Sequence, residues 1–290
     1  MTIVWLGQPE THEPSLVGGK AASLSRLAAE HPVPPGFALT STALREAARE
    51  LQRGIVPPAL HAEIATAYDQ LGGGRVAVRS SAIDEDGDAH SFAGLHETFL
   101  NVEGTEALAE AVVRCYASAF APRALEYRRH VGLPVEEIGL AILVQTQVLA
   151  DASAVVFSAN PINGSLDEIV VNASYGLGES IVGGSTTPDT FVVRKADREI
   201  LARTIGEKRL MTVPTPGGTS EVETPALLRG QPSVTDAQLV AMADLAVSLE
   251  LTTGAPVDIE CSFAGGTLYL LQSRPITTLR IPSGAERRDP

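Results

Sequence analysis

Along this chain the spacing of apolar residues alternates between the helical period of about 3.6 and the strand period of 2, and the switches outline a mixed succession of elements. After a short opening strand, SLVGGKAASLSRLAAEH puts Leu24 and Leu27 on one face of a helix that follows Gly18, Gly19 and Lys20. VPPGFALTSTALREAARELQ reads as a turn, a short strand and a helix capped by Ser41 or Thr42. A helix around AEIATAYDQL ends at Gly72 to Gly74. RVAVRSSA is a buried strand running straight into Arg79, Ser80 and Ser81, and the acidic loop IDEDGDAHSFAG leads on to a strand at HETFLNV. Residues 105 to 130 read as helices. The second half opens with strands at AILVQTQVL and SAVVFSANP, then a strand that ends in the glycine-rich loop of IVVNASYGLGESIVGG, then strands in DTFVVRK and EILARTIGEKRLMTV. The helix SVTDAQLVAMADLAVSLELTTG, capped at Ser233 or Thr235, precedes a closing hairpin. Helices and strands mix without a regular rhythm, which predicts an α+β protein of two lobes, residues 1–140 and 141–280, with a loose polar tail at 281–290.

The hairpin, DIECSFAGGTLYLLQSRPIT, departs from a purely structural pattern. Its first strand alternates Val257, Ile259, Cys261 and Phe263 with Asp258, Glu260 and Ser262, whereas its second places Leu268, Leu270, Gln272 and Arg274 on a single face. A two-residue turn at Gly265-Gly266 pairs Glu260 with Leu271. A three-residue loop pairs Glu260 with Gln272 and Asp258 with Arg274, gathering the polar groups together. A carboxylate, an amide oxygen and a guanidinium on adjacent strands suit a hard cation and a phosphate. The same pattern also suits an ordinary solvated sheet face.

Charge and composition narrow the field. With 290 residues, 44% hydrophobic and 20% charged, the chain is long enough for one large domain or two lobes. A net charge of -13 argues against nucleic acid or an anionic membrane as a broad partner surface, so any phosphate site must be locally basic. Cys115 and Cys261, distant in sequence and outside metal-ligand spacing, point to a reducing compartment and buried structural thiols. The opening MTIVWLGQPETHE lacks the pattern of a signal peptide, and Gln145, Gln147 and Asp151 interrupt the longest apolar stretch, so a cytoplasmic protein without a membrane span is expected. Singly, the polar candidates are ambiguous. Lys20 after two glycines suits a phosphate or a surface helix start. Arg79 leaves an apolar strand and needs a partner, either a ligand or one of Asp84, Glu85 and Asp86.

Taken in order, VGGKAASL, VPPGFALT, VRSSAIDEDGDAHSFAGLHETFLNV, VVFSANPINGS, ASYGLGESIVGGSTTPDTFVV, IGEKRLM and the hairpin resemble the ATP-binding domain of the phosphoenolpyruvate synthase and pyruvate, phosphate dikinase family, which includes rifampicin phosphotransferase. The resemblance covers nearly the whole chain. It implies an ATP-grasp fold with ATP between two lobes and magnesium on the phosphates. Position by position it implies Lys20 and Arg79 as phosphate ligands, Glu260 and Gln272 as magnesium ligands, and Arg274 as the catalytic phosphate-binding arginine. Gly94, Thr98, Gln145 and Val148 fall where the family contacts nucleotide, and Glu179 looks like its ribose-side carboxylate. Departures are Gln147 for a usual methionine, Tyr175 for a usual tryptophan and Cys261 for a frequent tryptophan.

Relatives resembling this chain go on to a swivelling domain whose histidine carries phosphate. None of His12, His31, His61, His90, His96 and His130 lies in that domain's threonine-serine-histidine setting. The resemblance therefore implies an ATP-dependent phosphotransferase component that passes a phosphoryl group to a histidine on a separate partner protein, leaving AMP and phosphate. A self-sufficient small-molecule kinase and a nucleotide-binding regulatory module are the alternatives.

Overall fold

The computed structural model describes residues 1–83, 97–135 and 138–276. Strands β1 (Ile3–Trp5), β2 (Gly36–Leu39), β3 (Val76–Ala82), β4 (Thr98–Val102) and β5 (Leu140–Thr146) form a five-stranded antiparallel sheet in the order β1-β2-β5-β3-β4. Strand β5, expected to open the C-terminal lobe, is instead the central strand of the first sheet. Its apolar run LAILV is buried throughout, and such a strand needs neighbours at both edges and cover on both faces. The expected division at residue 140 therefore moves beyond Thr146. Helices Ser41–Glu46, Pro58–Gln70 and Thr105–Ser118 cover one face of this sheet through Leu44, Ile64, Leu108 and Val112. Thr40 caps the first of them, one residue ahead of the predicted cap, because Ser41 Oγ is engaged by the Ser15 carbonyl at 2.8 Å.

The second lobe holds β6 (Ala152–Phe157), β7 (Glu168–Tyr175), β8 (Asp189–Arg194), β9 (Ile200–Thr204), a separate hairpin of β10 (Leu210–Thr215) and β11 (Gly218–Glu223), and finally β12 (Val257–Ala264) and β13 (Thr267–Pro275). Six of them make an antiparallel sheet in the order β13-β12-β6-β7-β8-β9. Helix Asp236–Thr253 packs on it through Leu239, Met242, Ala246 and Leu249. That helix opens with a capping box between Thr235 and Gln238 and stops at Gly254, whose φ of +71° is the left-handed terminator glycine adopts readily. Helix Pro14–Leu27 joins the lobes: its Val17, Ala21 and Leu24 belong to the same core as β6, β7 and β8.

Among the described residues, Cys115 and Cys261 are free and buried. No helix there is long and apolar enough to cross a membrane.

Candidate nucleotide site

Between the two sheets lies a cavity of about 320 Å³, lined by Lys20, Arg79, Thr98, Gln145, Val148, Glu179, Glu260, Gln272 and Arg274. Gly94 lies outside the described residues, as do His90, His96 and the acidic residues 84–86. Ala77, Leu100, Gln147, Leu177, Ser262 and Leu271 complete much of the wall. The space falls near the lower end of ordinary small-molecule pockets.

Lys20 reaches the cavity because its helix breaks at Gly18, where φ is +76° and ψ 166°. The backbone there presses on β3: a Cβ on Gly18 would sit 2.0 Å from the Ser81 carbonyl oxygen, so no side chain fits. The helix resumes against the end of β3, with Ala21 N donating to Ser81 Oγ at 3.1 Å and Lys20 Nζ donating to the Ser80 carbonyl at 2.9 Å. Lys20 is thereby held at 8% exposure, with its stem in the core and its ammonium at the cavity.

The hairpin shows how Arg79, Glu260, Gln272 and Arg274 meet. Ala264 pairs with Thr267 across a two-residue Gly265-Gly266 turn with φ of +55° and +82°, the mirror-image geometry that glycine favours in hairpins. On that register Cys261 pairs with Leu270 and Phe263 with Leu268, which sends both leucines to the core. A bulge then places Leu271 as an extra residue, and beyond it Glu260 pairs with Gln272 and Asp258 with Arg274. The predicted polar pairing is present, but a bulge produces it, where a three-residue loop was one of the alternatives. The bulge also turns the Leu271 carbonyl towards β3, where it accepts Arg79 Nη1 at 2.5 Å.

Arg79 is 8% exposed, and its Nη2 donates to Glu260 Oε2 at 3.1 Å and to Gln272 Oε1 at 3.4 Å. Those two oxygens thus converge on one cationic point. Arg274 donates through Nε and Nη2 to Asp258 Oδ2 at 2.9 and 2.7 Å, which fixes the plane of its guanidinium. Burial raises the Asp258 pKa despite the opposing pull of Arg274. Burial likewise pushes the neighbouring Cys261 thiol up to about 12, aided by Glu260, so it is an inert packing group.

At the other end, Gln145 is 3% exposed and donates from Nε2 to the Pro34 carbonyl at 3.1 Å. Burial raises the pKa of Glu179, and its Oε2 is buried without a hydrogen-bond partner, which marks an acceptor available to a ligand donor. None of His12, His31, His61 and His130 lines the cavity. Asp258 entered the sequence reading only as a strand partner of Arg274, and Leu271 only as a turn-dependent alternative, because a carbonyl contact made by a bulge leaves no side-chain pattern.

The donor set fits magnesium. Glu260 and Gln272 offer hard oxygens, and magnesium is commonly held by one or two protein oxygens with substrate phosphates and water completing the octahedron. Among the described residues no group of three or more His, Cys, Asp and Glu forms a self-sufficient metal cage.

Residues 44–289 match the family described as pyruvate phosphate dikinase, AMP/ATP-binding domain. A probable phosphoenolpyruvate synthase of Methanocaldococcus jannaschii is 35% identical over 96% of this chain and 27% of its own length. The prodigiosin synthesizing transferase PigC of Serratia marcescens is 37% identical over 97% of this chain and 34% of its own. The rifampicin phosphotransferase of Streptomyces sviceus is 37% identical over 95% and 36%. The chain thus spans between about a quarter and two fifths of each of these relatives. With the match extending through both lobes and the cavity between them, the chain belongs to the pyruvate phosphate dikinase AMP/ATP-binding domain family.

Proposed function

We propose that this chain is the Mg-ATP-binding part of a dikinase-type phosphotransferase with an ATP-grasp fold, which passes a phosphoryl group from ATP to a histidine carried by a partner protein and leaves AMP and phosphate. The observation that carries this reading is the convergence of Lys20, Arg79 and Arg274 with the oxygens of Glu260 and Gln272 on one cavity, in a chain whose net charge is -13. Concentrating cations there against the overall field makes sense for a polyphosphate.

The roles follow from the contacts. Arg274, braced by Asp258, presents a preset fork to the phosphoryl group in transfer, where a planar bidentate donor stabilises developing charge. Lys20 contributes a point charge, and Glu179 accepts from ligand hydroxyls. Arg79 donates to both oxygens of the Glu260–Gln272 pair, so its fork and magnesium would compete for them, and a phosphate that draws the Arg79 fork would leave the pair to the metal. Bound there, magnesium would neutralise phosphate charge. Metal and nucleotide are therefore expected to enter together, with magnesium alone binding weakly.

Titration calorimetry with magnesium, ATP and Mg-ATP tests the first part, and equal affinity for magnesium with and without nucleotide would contradict it. The second part is tested with ATP labelled at the β-phosphate, incubated with the chain and histidine-bearing candidate partners. Acid-labile label on a partner histidine supports the reading. Phosphorylation of a small molecule by the chain alone would replace it with a direct kinase, and tight binding with no turnover under any condition would replace it with a regulatory module.

A further inference from the structure

Hairpin β10–β11 belongs to neither large sheet. Its base is fastened to the second lobe, where Leu177 N donates to the Thr212 carbonyl at 2.9 Å. Gly176 beside it is packed so closely that a Cβ would lie 2.4 Å from the same oxygen. The tip reaches the first lobe. Asn101 of β4 donates through Nδ2 to the Thr215 carbonyl at 2.7 Å and to the Gly218 carbonyl at 2.8 Å, one on each side of the Pro216-Gly217 turn. An amide NH2 has two hydrogens, and each is committed to one strand end. Asn101 is 5% exposed and sits at φ +57°, a conformation that asparagine tolerates better than most residues. Its own backbone N donates to Gln147 Oε1 at 3.3 Å, just beyond the end of β5.

Both cavity walls lean on this arrangement. Thr98 and Leu100 of β4 line the cavity beside Asn101, and across from them Glu179 lines it too, while Glu179 and Thr219 of the hairpin share the wall of an adjoining cavity with Leu100 and Asn101. The hairpin therefore ties the wall bearing Leu100 to the wall bearing Glu179.

We propose that hairpin β10–β11 is a strap setting the separation of the two lobes around the nucleotide, and that Asn101 is its latch, a positioning residue that touches neither nucleotide nor metal. The inference rests on the cavity being the nucleotide site. Its chemistry is ordinary: two neutral hydrogen bonds hold a two-stranded ribbon that has no sheet of its own to stabilise it.

Asn101→Gly is the informative substitution, since glycine adopts the positive φ freely and loses only the side-chain donors. Hydrogen exchange of residues 210–223 in the nucleotide-free protein reads the latch, and calorimetric Mg-ATP affinity reads the strap. Expected are faster exchange at the hairpin tip, unchanged exchange in β5 and β7, and Mg-ATP affinity lower by about tenfold, the equivalent of roughly one to two net hydrogen bonds. Asn101→Asp, which sets carboxylate oxygens against the two carbonyls, should show the same pattern more strongly. Unchanged tip exchange overturns the latch whatever the nucleotide does. Faster tip exchange with wild-type affinity overturns the strap. Failure of the wild-type protein to bind Mg-ATP would sink the proposed function and with it the strap, while the latch is still decided by exchange alone.

Discussion

The buried pair Lys208–Asp189 offers the most quantitative test of how the second lobe is assembled. Both side chains are at 0% exposure. Asp189 Oδ1 accepts Lys208 Nζ and Gly206 N, the latter at 2.9 Å, while Oδ2 accepts Ser233 N and Ser233 Oγ, each at 2.7 Å. Lys208 Nζ also donates to the Gly206 carbonyl at 2.8 Å and lies 5.9 Å from the Tyr175 ring centroid. One carboxylate thus fastens the start of β8, the segment leading into β10 and the approach to helix Asp236–Thr253. Lys208→Met keeps the bulk and removes the cation, leaving an anion held by three neutral donors. Breaking a buried pair on one side costs about 3–5 kcal/mol, and the surviving donors place this case near the lower end, about 3 kcal/mol. Asp189→Asn should cost a similar amount. The double variant should cost less than the sum of the two by about 2 kcal/mol, because neutralising the carboxylate relieves the charge stranded by the first change. Urea unfolding of the four proteins at one pH, with matched m-values, measures the cycle. A loss below about 1 kcal/mol for Lys208→Met, or full additivity, would refute the view that this pair is the fastening.

Glu260→Ala and Gln272→Ala are each expected to weaken magnesium-dependent ATP binding or turnover with thermal unfolding nearly unchanged; normal turnover in both would remove them from the metal site. Arg274→Lys should lower turnover by about a hundredfold or more and nucleotide affinity far less, since a point charge replaces a braced fork. Equal losses would mean that Arg274 serves only the ground state. Because burial raises the Glu179 pKa, the proton is bound more tightly in the folded state. The resulting stability is present below the unfolded value near 4.5 and is lost as pH rises through the higher folded value. Glu179→Gln should therefore stabilise the ligand-free protein at neutral pH, flatten that pH dependence and weaken ATP binding; a variant with the wild-type stability profile would show that the carboxyl is not strained by burial.

Much of this architecture was legible because the relevant signals are local and periodic. The unbroken run of Val76 to Val78 marked a buried strand, and Thr235, one of the two caps expected for the long helix, is its N-cap. Arg79, Glu260, Gln272 and Arg274 stood out as polar residues on otherwise apolar strands, but that pattern also suits a solvated face, and it was the family resemblance that joined them into one expected site. The structure brings all four to one cavity. What escaped was topological. The apolar pattern of β5 says that it is central but not in which sheet, and only pairing with β2 and β3 decides that. Strand β11, GTSEVE, alternates too weakly to be read as a strand because its hairpin joins neither large sheet and none of its residues is buried. Asn101 looks like one more polar residue in a strand, and its role depends on a hairpin tip more than a hundred residues away in sequence.

The extra residue at Leu271 has a consequence for how the hairpin should be regarded as a sheet. Without it, Leu268, Leu270, Gln272 and Arg274 would follow a perfect alternation against β12, leucines inward and polar groups towards the cavity, and the ladder would be uninterrupted. A regular hairpin would hold one residue fewer between the turn and Gln272. What the extra residue supplies is a main-chain oxygen, the acceptor for Arg79 Nη1. In this protein a backbone atom serves as the acceptor that holds Arg79, specified by chain length where a side chain would be specified by residue type. Its identity is therefore indifferent to most substitutions at position 271 and acutely sensitive to the number of residues between the turn and Gln272.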